Sequence, residues 1–140
     1  ARAEVAIAEA LLEKTRIRAS ATGSVLRVDV KAGEIVAPQG EAALVTTGDM
    51  STLKVKAEVD EGDMAKVKVG QRVVVRSPGY QGKEFEGRVT ALAPTLGAPK
   101  VGPRGPRRQN DVDVLEVTVD LQPAAELKPG MRIDAYFRAE

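Results

Sequence analysis

Between positions 53 and 59 apolar and charged residues alternate without a break: Leu53, Val55, Ala57 and Val59 against Lys54, Lys56 and Glu58. A period of two marks a strand with one dry and one wet face. The alternation returns twice near the end of the sequence. Leu115, Val117, Val119 and Leu121 oppose Glu116, Thr118 and Asp120, and Met131, Ile133, Ala135 and Phe137 oppose Arg132, Asp134 and Tyr136. Residues 71–76 and 84–92 read as two further strands, with Phe85, Gly87 and Val89 facing inward and Pro94 closing the second. Asp60, Glu61 and Asp63 offer N-cap residues for a short helical turn over 64–67. Five or six strands between residues 53 and 138, with no long helix, predict a small antiparallel β-barrel.

An internal echo fits that prediction. Val67-Lys68-Val69-Gly70-Gln71-Arg72-Val73 and Leu127-Lys128-Pro129-Gly130-Met131-Arg132-Ile133 share a pattern: an apolar residue, a glycine turn, then an Arg-bearing strand. Equivalent turns in a ring of short strands would produce it, and so would chance likeness between two common turn sequences.

The first 52 residues follow other periods. Residues 1–14 contain strong helix formers, no Gly or Pro, and Glu4, Glu9 and Glu13 on the polar side. Val5, Ala8 and Leu12 fall at heptad-like spacing, widened by Ile7 and Leu11. The segment reads either as a terminal helix packed on its own domain or as the stub of a coiled-coil hairpin. A helix this short is marginal alone, so something must pack on it.

Residues 15–19, 24–30, 34–37 and 43–47 then read as strands, with turns at Gly23, Lys31-Ala32-Gly33 and Pro38-Gln39-Gly40. Val25, Val28, Val30, Ile35, Val36 and Leu44 would each contribute about 1.5–3 kcal/mol if fully buried. A flat patch of two to four strands cannot bury them on itself. The unit is half of something, and its apolar face is expected to be disordered or covered by a neighbour.

Composition narrows the chemistry. A length of 140 residues, with 43% hydrophobic and 29% charged, fits one modest domain or two small pieces of a globular protein. The formal net charge of +1 gives no overall pull toward nucleic acid or anionic lipid. With no histidine and no cysteine, the commonest general base, metal ligands and thiol nucleophile are all missing. Ser20, Ser24, Ser51 and Ser77 therefore lack a histidine to activate them. No phosphate-binding or dinucleotide fingerprint is present, and the Asp60-Glu61-Gly62-Asp63 cluster lacks EF-hand spacing. An enzyme is not expected, nor a cofactor or metal. No apolar run reaches the ~20 residues of a membrane span.

Residues 98–110 break the pattern. Pro99, Gly102, Pro103, Gly105 and Pro106 alternate with Lys100, Arg104, Arg107 and Arg108, with no acid among them. This reads as a long, flexible, basic surface loop. Without aromatic interleaving it reads by default as a solvated loop or a protein-contact loop, ahead of a phosphate-binding one.

The order of features resembles the membrane fusion proteins, the HlyD-like periplasmic adaptor subunits of bacterial efflux and secretion systems. Glu13-Lys14-Thr15-Arg16-Ile17-Arg18-Ala19 is similar to the family's junction from hairpin helix to lipoyl strand. Gly23-Ser24-Val25-Leu26 and Gly33-Glu34-Ile35-Val36 are similar to its second lipoyl half-motif. Residues 53–59 with 63–71, Phe85-Glu86-Gly87-Arg88-Val89 and Leu127-Lys128-Pro129-Gly130-Met131 are similar to its barrel strands and helical turn. Ser20 departs from the pattern, where the family has proline after Ile-Arg-Ala.

The resemblance implies a mainly β fold: half of a lipoyl-like (barrel-sandwich hybrid) domain plus a small antiparallel β-barrel. A short N-terminal helix would remain from a coiled-coil hairpin. The implied division is 1–14 hairpin helix, 15–48 second lipoyl half and 49–140 barrel, with the basic loop at 98–110. It also implies a non-catalytic adaptor, assembled as a ring, joining an inner-membrane transporter to an outer-membrane channel. No membrane-proximal domain is recognisable after the last strand, which is closer to the adaptors of ABC exporters, including the DevB-like group. The parent would be periplasmic and anchored in the inner membrane. Upstream of Ala1 it would carry an anchor or lipoprotein signal, a first lipoyl half and an antiparallel helix. Candidate protein-contact residues are Val5, Ala8 and Leu12 on the helix and Lys100, Arg104, Arg107 and Arg108 in the loop. Nucleic acid is not an expected partner. Two other readings remain at this point: a lipoyl or biotinyl carrier fragment using Lys31, and a small-barrel nucleic-acid binder using the basic loop.

Overall fold

A computed structural model of the protein describes residues 1–37, 39–102, 112–123 and 126–139. The elements run α1 (Arg2–Lys14), β1 (Ser24–Val28), β2 (Val45–Gly48), β3 (Lys54–Asp60), a 3-10 helix (Glu61–Lys66), β4 (Arg72–Arg76), β5 (Glu84–Gly97), β6 (Val114–Leu121) and β7 (Asp134–Phe137). They divide into two units, Ala1–Met50 and Ser51–Glu140. The fold is mainly β with one short N-terminal helix, as the sequence implies.

In the first unit α1 ends where the Thr15 hydroxyl and the Thr15 amide both donate to the Leu12 carbonyl. The Arg16 amide donates to Glu13, and Arg18 pairs with the Glu13 carboxylate at 2.7 Å. These local bonds close the last turn of the helix, and residues 15–19 form no strand. β1 and β2 make an antiparallel hairpin that aligns Ser24 with Gly48 and Val28 with Val45, and slips register between Val25 and Arg27. Residues 34–37 also form no strand: β1 and β2 pair with each other alone, and no third segment joins their ladder among the described residues.

The second unit is a curled five-stranded sheet in the order β3-β6-β5-β4-β7. Every neighbouring pair is antiparallel. Alternation along each strand sends valines to one face. Val73, Val75, Val89, Val117 and Val119 are fully buried, and the rest of the core cluster includes Val55, Ala57, Val59, Val67, Leu115, Leu121 and Leu127. Phe85, Met131, Ile133, Ala135 and Phe137 pack against it half-buried. At about 1.5–3 kcal/mol for each fully buried valine, this cluster is the main source of the unit's stability. Among the described residues no buried side-chain polar atom lacks a partner.

Two local expectations are corrected. β5 does not stop at Pro94 but continues to Gly97. Its pairing with β6 shifts register between Leu92 and Leu96, so the proline occupies an irregularity that requires no ladder N–H. The short helix begins at Glu61 instead of residue 64, and Asp60 makes no side-chain capping bond. The backbone carbonyl of Asp113 accepts the Glu61 amide, and Asp63 pairs with Lys66.

The echoed turns are built alike. Gly70 and Gly130 take φ of 90° and 86°. Gln71 and Met131 donate their amides to the Lys68 and Lys128 carbonyls, each at 3.2 Å. In both copies the side chain after the glycine then accepts from the lysine amide, at 3.0 Å to Gln71 Oε1 and 3.2 Å to Met131 Sδ. Val67 and Leu127 are both buried ahead of the turn. The repeat is one structural device used twice.

Candidate protein-contact surfaces

The helix seam proposed from spacing is open to solvent. No residue of α1 is buried, and Val5, Ile7, Leu11 and Leu12 are all more than half exposed. Ala8 lies on the same helix and is exposed too. The hairpin below repeats the situation, with Val25, Val28 and Val36 exposed and Ile35 at 99%. Apolar exposure on this scale in one small unit makes this face the candidate contact surface of the unit.

Lys31 stands in an ordinary turn. Its amide donates to Glu34 Oε2 at 2.8 Å, its carbonyl accepts the Glu34 amide at 3.1 Å, and Gly33 between them has φ of 93°. Among the described residues no cluster of three or more potential metal ligands exists, and no helix is long and apolar enough to cross a membrane.

In the second unit the sheet's two edge strands, β3 and β7, flank a groove of about 890 Å³. Val55, Ala57, Leu127, Met131, Ile133 and Phe137 contribute apolar lining. Four successive antiparallel ladders leave β3 and β7 pointing the same way, and no ladder joins them. The barrel is therefore open along one seam among the described residues.

Lys100 lies at the mouth of that groove and is tied down twice. Its backbone amide donates to Glu58 Oε1 at 2.8 Å, and its ammonium donates to Glu116 Oε2 at 3.3 Å. Glu116 also accepts from Lys56 at 2.8 Å. These hydrogen bonds, first from Lys56 and then from Lys100, hold the Glu116 carboxyl below the usual glutamate range. The other loop cations proposed from sequence, Arg104, Arg107 and Arg108, lie outside the described residues.

Spacing alone did not point to Glu58 or Arg132. Glu58 sits on the wet face of β3 and Arg132 at an exposed position just ahead of β7, where a charged residue carries no signal of its own. At the far side of β7, Arg76 pairs with Glu84 and stacks 5.0 Å from the centroid of the half-exposed Tyr136 ring. The Glu84 hydrogen bond raises the Arg76 pKa further above its usual range.

Residues 53–135, well over half of the chain, match the family model described as the YknX-like beta-barrel domain. The chain belongs to the membrane fusion protein family. The macrolide export protein MacA of Yersinia pestis is 33% identical over 85 residues, covering 60% of this chain and 23% of that protein. The pyoverdine export membrane fusion protein PvdR of Pseudomonas aeruginosa is 28% identical over 125 residues, covering 81% of this chain and 32% of its own length. This membrane fusion protein chain thus spans about a quarter to a third of those curated relatives.

Solved structures agree on the fold. MacA from Actinobacillus actinomycetemcomitans superposes with a TM-score of 0.76 at 20% identity, over 99% of this chain and 41% of that one. The membrane fusion protein Spr0693 from Streptococcus pneumoniae R6 gives 0.67 at 21% identity, over 99% and 56%.

Proposed function

We propose that the protein works as part of a periplasmic adaptor subunit, linking an inner-membrane transporter of the ABC type to an outer-membrane channel. It acts by assembly into a ring and catalyses nothing itself. In this reading residues 1–14 end a helical hairpin, 15–48 supply the second half of a lipoyl-like domain and 49–140 form the barrel. Val5, Ala8 and Leu12 face a helical partner, and Lys100, Arg104, Arg107 and Arg108 meet an acidic protein surface.

One observation carries the reading: the unit Ala1–Met50 exposes nearly all its apolar residues, Ile35 completely, in a chain whose residues 53–135 match the YknX-like beta-barrel domain. A self-sufficient carrier domain would bury that face. The export proteins MacA and PvdR, to which the chain is similar, support the transport setting.

Affinity purification of the intact parent from crosslinked cells tests the proposal. Recovery of an inner-membrane ATPase transporter and an outer-membrane channel is the expected result. Recovery of neither, from cells in which the parent is abundant, overturns it.

A further inference from the structure

The seam between β3 and β7 has no backbone ladder, yet one short segment touches both of its sides. Glu58, half-buried on β3, accepts the Lys100 amide at 2.8 Å and the Val101 amide at 3.3 Å through Oε1 and 3.2 Å through Oε2. One residue further on, the Gly102 carbonyl accepts from Arg132 Nη2 at 2.8 Å. Arg132 lies in the stretch that leads into β7. Pro99, Lys100 and Val101 line the same groove as the two edge strands. Lys100 Nζ adds a third fixing point on Glu116 of β6, the ladder neighbour of β3 among the described residues.

We propose that residues 99–102 are a latch across the open seam, with Glu58 and Arg132 as its two anchors. Two features separate a latch from a loop that merely rests on the surface. Both anchor bonds are charge-assisted and both go to the segment's backbone, so they fix its path whatever its side chains are. They also reach edge elements at opposite ends of the strand order, which nothing else among the described ladders ties together. The physical need is plain, since unpaired strand edges are templates for unwanted pairing and parting of the edges opens the core. The latch holds the edges at a set spacing while leaving the groove between them accessible. This inference concerns the barrel alone and stands or falls independently of the transport reading.

The absence of cysteine makes the test clean, because two introduced thiols are labelled uniquely in the chain. Lys54 on β3 and Tyr136 on β7 both line the groove and are exposed, so Lys54→Cys with Tyr136→Cys reports the seam width by spin-label distance measurement. Glu58→Ala and Arg132→Met, made separately, should each lengthen and broaden the distance distribution, and amide exchange in β3 and β7 should quicken roughly tenfold. Lys100→Met, which removes the ammonium and keeps the anchored amide, should leave the distribution close to that of the parent. If Glu58→Ala prevents folding, Arg132→Met and Val101→Pro, which deletes one anchored amide, answer the same question. An unchanged distribution in folded Arg132→Met, or a change in Lys100→Met as large as that in Glu58→Ala, overturns the latch.

Discussion

Gly87 on β5 lies so close to Asp120 on β6 that a Cβ at Gly87 would stand 2.8 Å from the Asp120 carbonyl oxygen. The same Cβ would meet Val119 Cγ1 at 2.8 Å and Leu121 Cδ2 at 3.1 Å. Gly87 faces Val73 on one side and Leu121 on the other, at the centre of the sheet. A backbone oxygen in a paired strand cannot step aside as a flexible side chain can.

Gly87→Ala should therefore destabilise the barrel by about 1–3 kcal/mol, the usual cost of forcing one extra carbon into a packed core. Urea unfolding of the two proteins checks it. Unfolding midpoints that coincide would mean that β5 and β6 can separate at no cost, and the close approach would have no energetic meaning.

How far the fold was legible depended on whether a strand could bury its own face. The alternation over β3 and β6 could be read residue by residue, because one-sided burial forces a period of two, and its apolar residues from Val55 to Val59 and Leu115 to Leu121 are indeed the core; those from Met131 to Phe137 pack against it half-buried, and only Asp134–Phe137 form a strand. Gly87, Val89 and Phe85 face inward as expected. The reading of residues 15–19 and 34–37 as strands failed for the opposite reason. Their apolar residues reflect burial that the unit does not provide, and local capping bonds or a missing ladder decide their conformation instead. Pro94 misled because a register shift makes room for it, and a bulge leaves no mark on hydrophobic periodicity. The candidate site was legible in part. The apolar stripe on α1 follows from spacing, whereas the hydrogen bonds of Glu58 and Arg132 reach a segment 42 and 30 positions away in sequence.

The twin turns make a paired prediction. Gly70 and Gly130 both hold a left-handed φ, near 90°, with open space where a Cβ would point. Alanine at either site then meets only the backbone penalty, about 1–2 kcal/mol, and meets it equally. Chemical denaturation of Gly70→Ala and Gly130→Ala should give matching losses. A cost at one turn several times that at the other would show that the two copies are not mechanically equivalent.

Gln71 is buried and hydrogen-bonded at both ends of its side-chain amide. Its Nε2 donates to the Arg138 carbonyl just beyond β7 at 2.8 Å, and its Oε1 accepts the Lys68 amide at 3.0 Å. Gln71→Leu keeps the bulk and strands both backbone partners, which should cost about 1–3 kcal/mol. Hydrogen exchange at Lys68 and faster proteolysis after β7 should accompany the loss. A variant as stable as the parent, with an unaltered exchange rate at Lys68, would leave the side chain without the structural role its geometry implies.

The Lys56-Glu116-Lys100 cluster on the wet face of β3 and β6 has a pH signature. Its hydrogen bonds, led by the one from Lys56, lower the folded-state pKa of Glu116. A carboxyl depressed on folding contributes stability that is present above its unfolded pKa and is lost as pH falls through the lower, folded value. The contribution should thus be intact at neutral pH and vanish only in acid below the ordinary glutamate range. Because the cluster is partly exposed, added salt should reduce it. Lys56→Met removes the leading cause and should raise the Glu116 titration midpoint toward the usual glutamate value, followed by carboxyl-carbon NMR. Lys100→Met should raise it by less, since the Lys100 hydrogen bond is the second cause and not the first. A midpoint unmoved by Lys56→Met would mean that the Lys56–Glu116 ion pair is absent in solution.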